Sequence, residues 1–239
     1  DAVCIQYPNF FGVIEPVFEM RKRVKKLFIT ATPDPTDLAI LKPPDADIKV
    51  AEGQSLGNYP YFGGSSLGIF CTNNDFIRKI PGRLVGETTD AEGTPCFSLT
   101  LQTREQHIRR GKATSNICTS TSNNAIRSAV YLSILGRNGL RKVASKGYKS
   151  AHILFDKLRS KGKKTSTPFS GKFFKEFAMI LDIDEDKILS EGFIPPIRLA
   201  KLKNFLPEFP CVNDDTVLFC TTEMINEKDI EKLISSIFP

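Results

Sequence analysis

Three short apolar runs near the start of the chain place the strongest limit on how it can fold. Ala2 to Gln6, Leu27 to Ala31 and Asp47 to Ala51 each have the length and composition of a strand. Val17 to Lys26 lies between the first two and reads as an amphipathic helix, with basic residues at 21, 22, 23, 25 and 26. Thr32 to Asp37, with two prolines, predicts a turn before a short helix around Leu38 to Leu41. Strand, helix, strand, helix, strand is the rhythm of a parallel α/β sheet. Such sheets hold ligands in the loops beyond the carboxyl ends of their strands. The loops after Gln6, Ala31 and Ala51 are therefore the first places to look for a site.

The glycine-rich and aromatic stretch Gly53 to Gly68 follows, and Leu67 to Cys71 then reads as another strand. Phe76 to Ile80 predicts a short helix stopped by Pro81-Gly82. Arg83 to Glu87 and Phe97 to Thr103 are strand candidates around the loop Asp90-Ala-Glu-Gly. A long helix is expected from about Thr119 to Gly136, with Ala125, Ala129, Leu132 and Leu135 on one face, and a second from about Leu140 to Ser160. Lys161 to Thr167 reads as a solvent loop. Phe173 to Ile180 and Thr216 to Thr221 read as strands of a smaller α/β unit. A last helix spans Glu227 to Ile237, with Asn226 as N-cap and Asp229 near its positive end. The boundary between the two units falls at about 125 to 140, giving a larger part over 1–125 and connecting helices with a small α/β domain over 126–239.

Composition excludes several classes. No apolar run approaches the roughly 20 residues of a membrane span. The start, Asp-Ala-Val-Cys-Ile-Gln-Tyr-Pro, carries no basic and apolar leader, and reads as a strand entered from the middle of a larger protein. Six cysteines form no CxxC pair and read as reduced core residues, not a disulfide frame. Only two histidines, His107 and His152, are present, which argues against a multi-histidine metal site. The net charge of +6 reads either as a solvated surface or as a face for an acidic partner or anion. The basic run at 21–26 has no aromatic stacking platform beside it, so a nucleic-acid groove is not expected. The expected location is cytoplasmic.

Four stretches carry a resemblance. They are Gln-Tyr-Pro-Asn-Phe-Phe-Gly-Val-Ile-Glu (6–15), Ala-Asp-Ile-Lys-Val-Ala-Glu-Gly-Gln-Ser-Leu-Gly (46–57), Pro-Gly-Arg-Leu-Val-Gly-Glu-Thr (81–88) and the run 99–119 from Leu-Thr-Leu-Gln-Thr-Arg to Asn-Ile-Cys-Thr. In order and spacing the chain resembles the C-terminal half of the α subunit (subunit 1 of the two-subunit form) in the glycine dehydrogenase (decarboxylating), or P-protein, family. The likeness is dense over about 1–140 and thins over 160–239, where Thr-Thr-Glu-Met (221–224) is the best echo. It implies the type I pyridoxal-phosphate transferase-like fold: the second half of a large domain plus a C-terminal small α/β domain. It further implies glycine decarboxylation with aminomethyl transfer to the lipoyl carrier (H) protein, within a heterotetramer containing a β subunit.

The family's chemistry needs a lysine that holds the cofactor as a Schiff base. Counted back from Gly63-Gly64, that position falls on Gln54, and a carboxamide cannot form the bond. Lys49 and Lys42 are out of register. The resemblance therefore implies that pyridoxal phosphate is held by the β subunit, that this chain alone is inactive, and that Gln54 marks the lost position. Thr114, Ser115 and Asn116, ahead of the long helix, would meet the phosphate of a neighbour's cofactor; the plainer alternative is an N-cap or turn cluster. Arg104, His107, Arg109 and Arg110 would contact the phosphate, the glycine carboxylate or an acidic carrier, or else form an interface salt-bridge network around a structural histidine. The Tyr59 to Gly64 loop is either an active-site wall or a turn packed by Tyr61 and Phe62. Two rival functions stay open: a basic polyanion-binding module, and a self-sufficient desulfurase-like transferase of the same fold.

Overall fold

The computed structural model describes residues 1–80, 82–101, 110–113, 121–162, 165–204 and 213–238. Its first sheet contains β1 (Ala2–Gln6), β2 (Leu27–Thr32), β3 (Ile48–Glu52) and β4 (Gly68–Thr72), in that spatial order. β1, β2 and β3 run parallel, and β4 returns antiparallel with Ala51 opposite Ile69. The crossover from β1 to β2 carries α1 (Val17–Arg23), one turn shorter than the sequence suggests. It stops because Val24 is already extended, and Lys25 and Lys26 lead directly into β2. Tyr7, Val17 and Phe28 form a small core between α1 and the sheet, with Phe28 fully buried. The expected helix at 38–41 is instead a 3-10 turn over Pro35–Ala39, started by Asp34, whose side chain accepts from Thr36 N at 2.9 Å.

β5 (Leu84–Thr89) and β6 (Pro95–Leu101) form a separate hairpin, turned at Asp90, whose carboxylate accepts from Glu92 N and Thr94 N. The long helix α2 (Ser122–Lys161) covers both helices read from the sequence from Ser122 onward, the expected start at about Thr119 lying outside the described residues, and it is broken at Gly136, where φ is +57°. Glycine alone adopts that conformation without strain.

The C-terminal unit has an antiparallel sheet in the order β7 (Glu176–Ile180), β9 (Thr216–Cys220), β8 (Ile197–Arg198). Two helices flank it, α3 (Glu185–Ser190) and α4 (Glu227–Ile237). α4 begins in a full capping box between Asn226 and Asp229. The main core sits here. Leu154 and Leu158 of α2, Phe177 and Met179 of β7, Phe219 of β9 and Ile230 and Ile234 of α4 are all buried. Phe177 and Phe219 stack with centroids 5.2 Å apart. β7 begins three residues later than expected, because Phe173 bridges back to Val13 of the loop after β1.

The cysteines correct one expectation. Of the described cysteines, Cys4, Cys71 and Cys220 are exposed and Cys96 is half-buried, so these four do not sit in the core of this chain; Cys118 and Cys211 lie outside the described residues. Val3 and Phe70 beside the first two are exposed as well. A strand's apolar character shows that some layer suits it, not which layer covers it.

Candidate functional site

The loops at the carboxyl ends of β1, β2 and β3 lie where the strand pattern places a ligand crevice, and they are tied together there: Ser55 Oγ after β3 donates to Asp34 after β2 at 2.6 Å, and Gly12 after β1 accepts from Phe174 N beside Lys175, which pairs with Asp34. After β1, Asn9 closes a turn by accepting from Phe11 N and Val13 N through Oδ1 and donating Nδ2 to Glu15 at 2.6 Å. After β2 comes the Asp34 turn. After β3, Glu52 clamps the glycine-rich loop: its carboxylate accepts from Gln54 N and from Leu67 N, each at 3.0 Å.

Inside that loop the Gln54 side chain is committed. Its Nε2 donates to the carbonyl of Asn58 at 2.6 Å, closing a short turn on itself. Gly57 has φ +82°, and a Cβ there would lie 2.9 Å from Tyr131 Cβ, so the loop packs directly on α2. Asn58 is buried and donates to Ser128 Oγ at 2.9 Å and to Gly53 O at 3.2 Å. Asn124 donates to Ser65 O at 2.7 Å. Asn58, Asn124 and Ser128 thus pin the loop to the first turns of α2.

The centre of the crevice is a charge cluster that the sequence reading missed. Asp34 accepts from Ser55 Oγ at 2.6 Å, from Thr36 and from Lys175, the residue just ahead of β7. Lys175 also pairs with Asp37 Oδ1 at 2.8 Å, a charge contact without hydrogen-bond geometry at that oxygen. Lys175 is 7% exposed and Asp37 2%. Burial pushes the Asp37 carboxyl up to about 7, outweighing the attraction of Lys175, while Asp34 and Glu176 add repulsion. Burial also works against the charge of Asp34, but Lys175, Ser55 and Thr36 together hold its carboxyl below the ordinary value. Burial opposes the Lys175 ammonium too, yet the two carboxylates raise its pKa above that of a free lysine. No spacing signal could have found this cluster, because Lys175 lies 141 residues from Asp34.

The described residues of the crevice do not fit a cofactor held as an imine on one of them. Position 54 offers an amide already bonded to backbone, and the crevice lysine is a locked ammonium with no free electron pair. Two carboxylates beside it oppose a phosphate. Among the described residues no group of three or more metal-ligating side chains occurs, and no helix is long and apolar enough to cross a membrane.

Thr114, Ser115, Asn116, Arg104, His107 and Arg109 lie outside the described residues. Arg110 begins a 3-10 turn that ends at Lys112. Phe62 projects fully into solvent and Tyr59 is mostly exposed, so Phe62 does not pack the Tyr59 to Gly64 loop as a plain turn would require.

A family model described as the glycine cleavage system P-protein matches residues 1–237. A protein of Thermotoga petrophila named probable glycine dehydrogenase (decarboxylating) subunit 1 is 44% identical, with 98% of this chain covering 53% of that relative. A crystal structure of glycine decarboxylase (P-protein) of the glycine cleavage system, in inhibitor-bound form, is 38% identical, with a TM-score of 0.83 over 99% of this chain and 54% of that one. A cysteine desulfurase from Escherichia coli, CsdA, aligns over 99% of this chain and 58% of its own with a TM-score of 0.64 at 12% identity, which shows the shared type I pyridoxal-phosphate fold. The chain spans about half the length of the relatives it matches. This chain belongs to the glycine cleavage system P-protein family.

Proposed function

We propose that this chain is the supporting half-site of a cytoplasmic glycine decarboxylase, completing the active-site interface of a lysine-bearing β subunit. Pyridoxal phosphate would sit in the β subunit, where it supplies an electron sink for the loss of carbon dioxide from glycine. Thr114, Ser115 and Asn116 would offer N–H and hydroxyl donors to its phosphate across the interface. Arg104, His107, Arg109 and Arg110 would present cationic donors to the glycine carboxylate or to the acidic lipoyl carrier protein.

The observation that carries this reading is the state of position 54. Its carboxamide is spent on Asn58 O, and the nearby Lys175 is spent on two aspartates. The names of the relatives support it too, since a subunit 1 calls for another subunit. Co-expression with a β subunit, followed by an assay of exchange between the glycine carboxyl carbon and bicarbonate, tests it. Exchange is expected only when both chains are present. Replacing Thr114, Ser115 and Asn116 together by alanine should raise the cofactor's dissociation constant in the complex. Full exchange by either chain alone would refute the supporting role.

A further inference from the structure

Lys175 joins two parts of the molecule that are remote in sequence. Its carbonyl accepts from Thr221 N at 3.2 Å, and the hydroxyl of Thr221 donates to Gly147 O of α2 at 2.9 Å. The preceding residue, Phe174, donates its N–H to Gly12 O at 3.0 Å in the loop after β1. The backbone around Lys175 is therefore held by the C-terminal sheet, α2 and the β1 loop together. Its side chain points the other way, into the crevice between Asp34 and Asp37. Through Asp34 it reaches Ser55, the neighbour of Gln54.

We infer that Lys175 is a built-in counter-ion that latches the C-terminal unit into the crevice, standing where a bound cationic group would otherwise have to neutralise Asp34 and Asp37. Removing one partner of a buried ion pair leaves an uncompensated charge, which costs far more than the pair itself contributes. The cluster is therefore held shut from within, and the Gln54–Asn58 turn is held through Ser55. The latch concerns this chain's own fold and does not rest on the supporting-subunit reading.

The test is side-chain rescue in the full-length protein. Lys175→Ala removes the fragment that n-propylammonium can replace, leaving the carboxyl groups of Asp34 and Asp37 facing a cavity of that shape. The backbone amides of Leu56 and Asn58, which bond to Gly53 O and Gln54 O, report the crevice loop by hydrogen exchange. Their exchange is expected to quicken about tenfold or more in Lys175→Ala. Added n-propylammonium should reverse this, while n-propanol and tetramethylammonium should not, and the unaltered protein should respond to none of them. Unchanged exchange in the variant, or equal response by the unaltered protein, overturns the latch. If Lys175→Ala does not fold, Lys175→Met is compared with the triple variant that adds Asp34→Asn and Asp37→Asn. Recovery of folding in the triple variant, with loop exchange still fast, supports the latch. A triple variant as unstable as Lys175→Met, or one with native loop protection, overturns it.

Discussion

Replacing Asp37 by asparagine should change how stability depends on pH, and the buried cluster sets both sign and size. The Asp37 carboxyl rises from 3.8 to about 7 on folding, driven first by burial. A carboxyl raised in the folded state binds its proton more tightly there than when unfolded. Its contribution is fully present below pH 3.8 and is lost as pH climbs through about 7. The whole shift corresponds to about 4 kcal/mol, of which about 2–3 kcal/mol disappears between pH 5 and pH 8. Asparagine keeps an oxygen for Lys175 but has nothing to titrate, so the variant lacks this fall. For a chain of this size, the melting-temperature gap in favour of the variant should widen by about 5–10 °C from pH 5 to pH 8. The other charged groups around Asp37 do not imitate the effect. Lys175 stays protonated throughout, and Asp34 and Glu176 are present in both proteins. Thermal unfolding followed by circular dichroism at several pH values reads the gap directly. Parallel curves, or a gap that narrows as pH rises, would refute the claim that burial dominates at Asp37.

Three further substitutions probe the framework of the crevice. Gly12→Ala places a Cβ 1.8 Å from the Glu176 carbonyl at φ +80°, and should cost about 3 kcal/mol in denaturant melts. Phe177→Ala opens the aromatic stack with Phe219 in the main core and should cost about 3–5 kcal/mol, read the same way. Glu52→Ala frees two backbone N–H groups and should lower stability by about 2 kcal/mol, with hydrogen exchange rising at Gln54 and Leu67 and unchanged at Phe177.

Local pattern carried the frame of the fold. β1 and α4 lie where apolar periodicity and the Asn226 cap place them, because each is decided by a handful of adjacent residues. Errors concentrate where distant residues decide. α3 escaped notice because six residues carry too little periodicity, although Asp184 accepting from Lys187 N is a usable cap signal. β7 starts late because Phe173 and Phe174 belong to contacts with residues 12 and 13, which no window on 173–180 contains. The apolar flanks of Cys4 and Cys71 signal strands truthfully, but exposure depends on layers that a strand's own residues do not specify. The crevice was legible in position and not in content: strand order points to the loops, while Lys175 arrives from the other end of the chain.

That content bears on what a lysine at position 54 could achieve. A Schiff-base amine must reach its neutral form, and nearby carboxylates favour the charged one. Ser55, one residue on, touches Asp34 at 2.6 Å, so the site lies at the rim of a cluster that already carries two acids against one ammonium. Gln54→Lys would also give up the bond to Asn58 O that closes the turn, at a cost of about 1 kcal/mol. Restoring the residue type therefore does not restore the chemistry. Incubation of Gln54→Lys with pyridoxal phosphate, borohydride reduction and intact mass measurement should yield no adduct at residue 54. The same treatment of Gln54→Lys combined with Asp34→Asn and Asp37→Asn should yield some, since the acids that hold the amine charged are gone. Stoichiometric labelling of the single variant at residue 54 would mean that Asp34, Asp37 and Lys175 do not set the charge of an amine in the crevice.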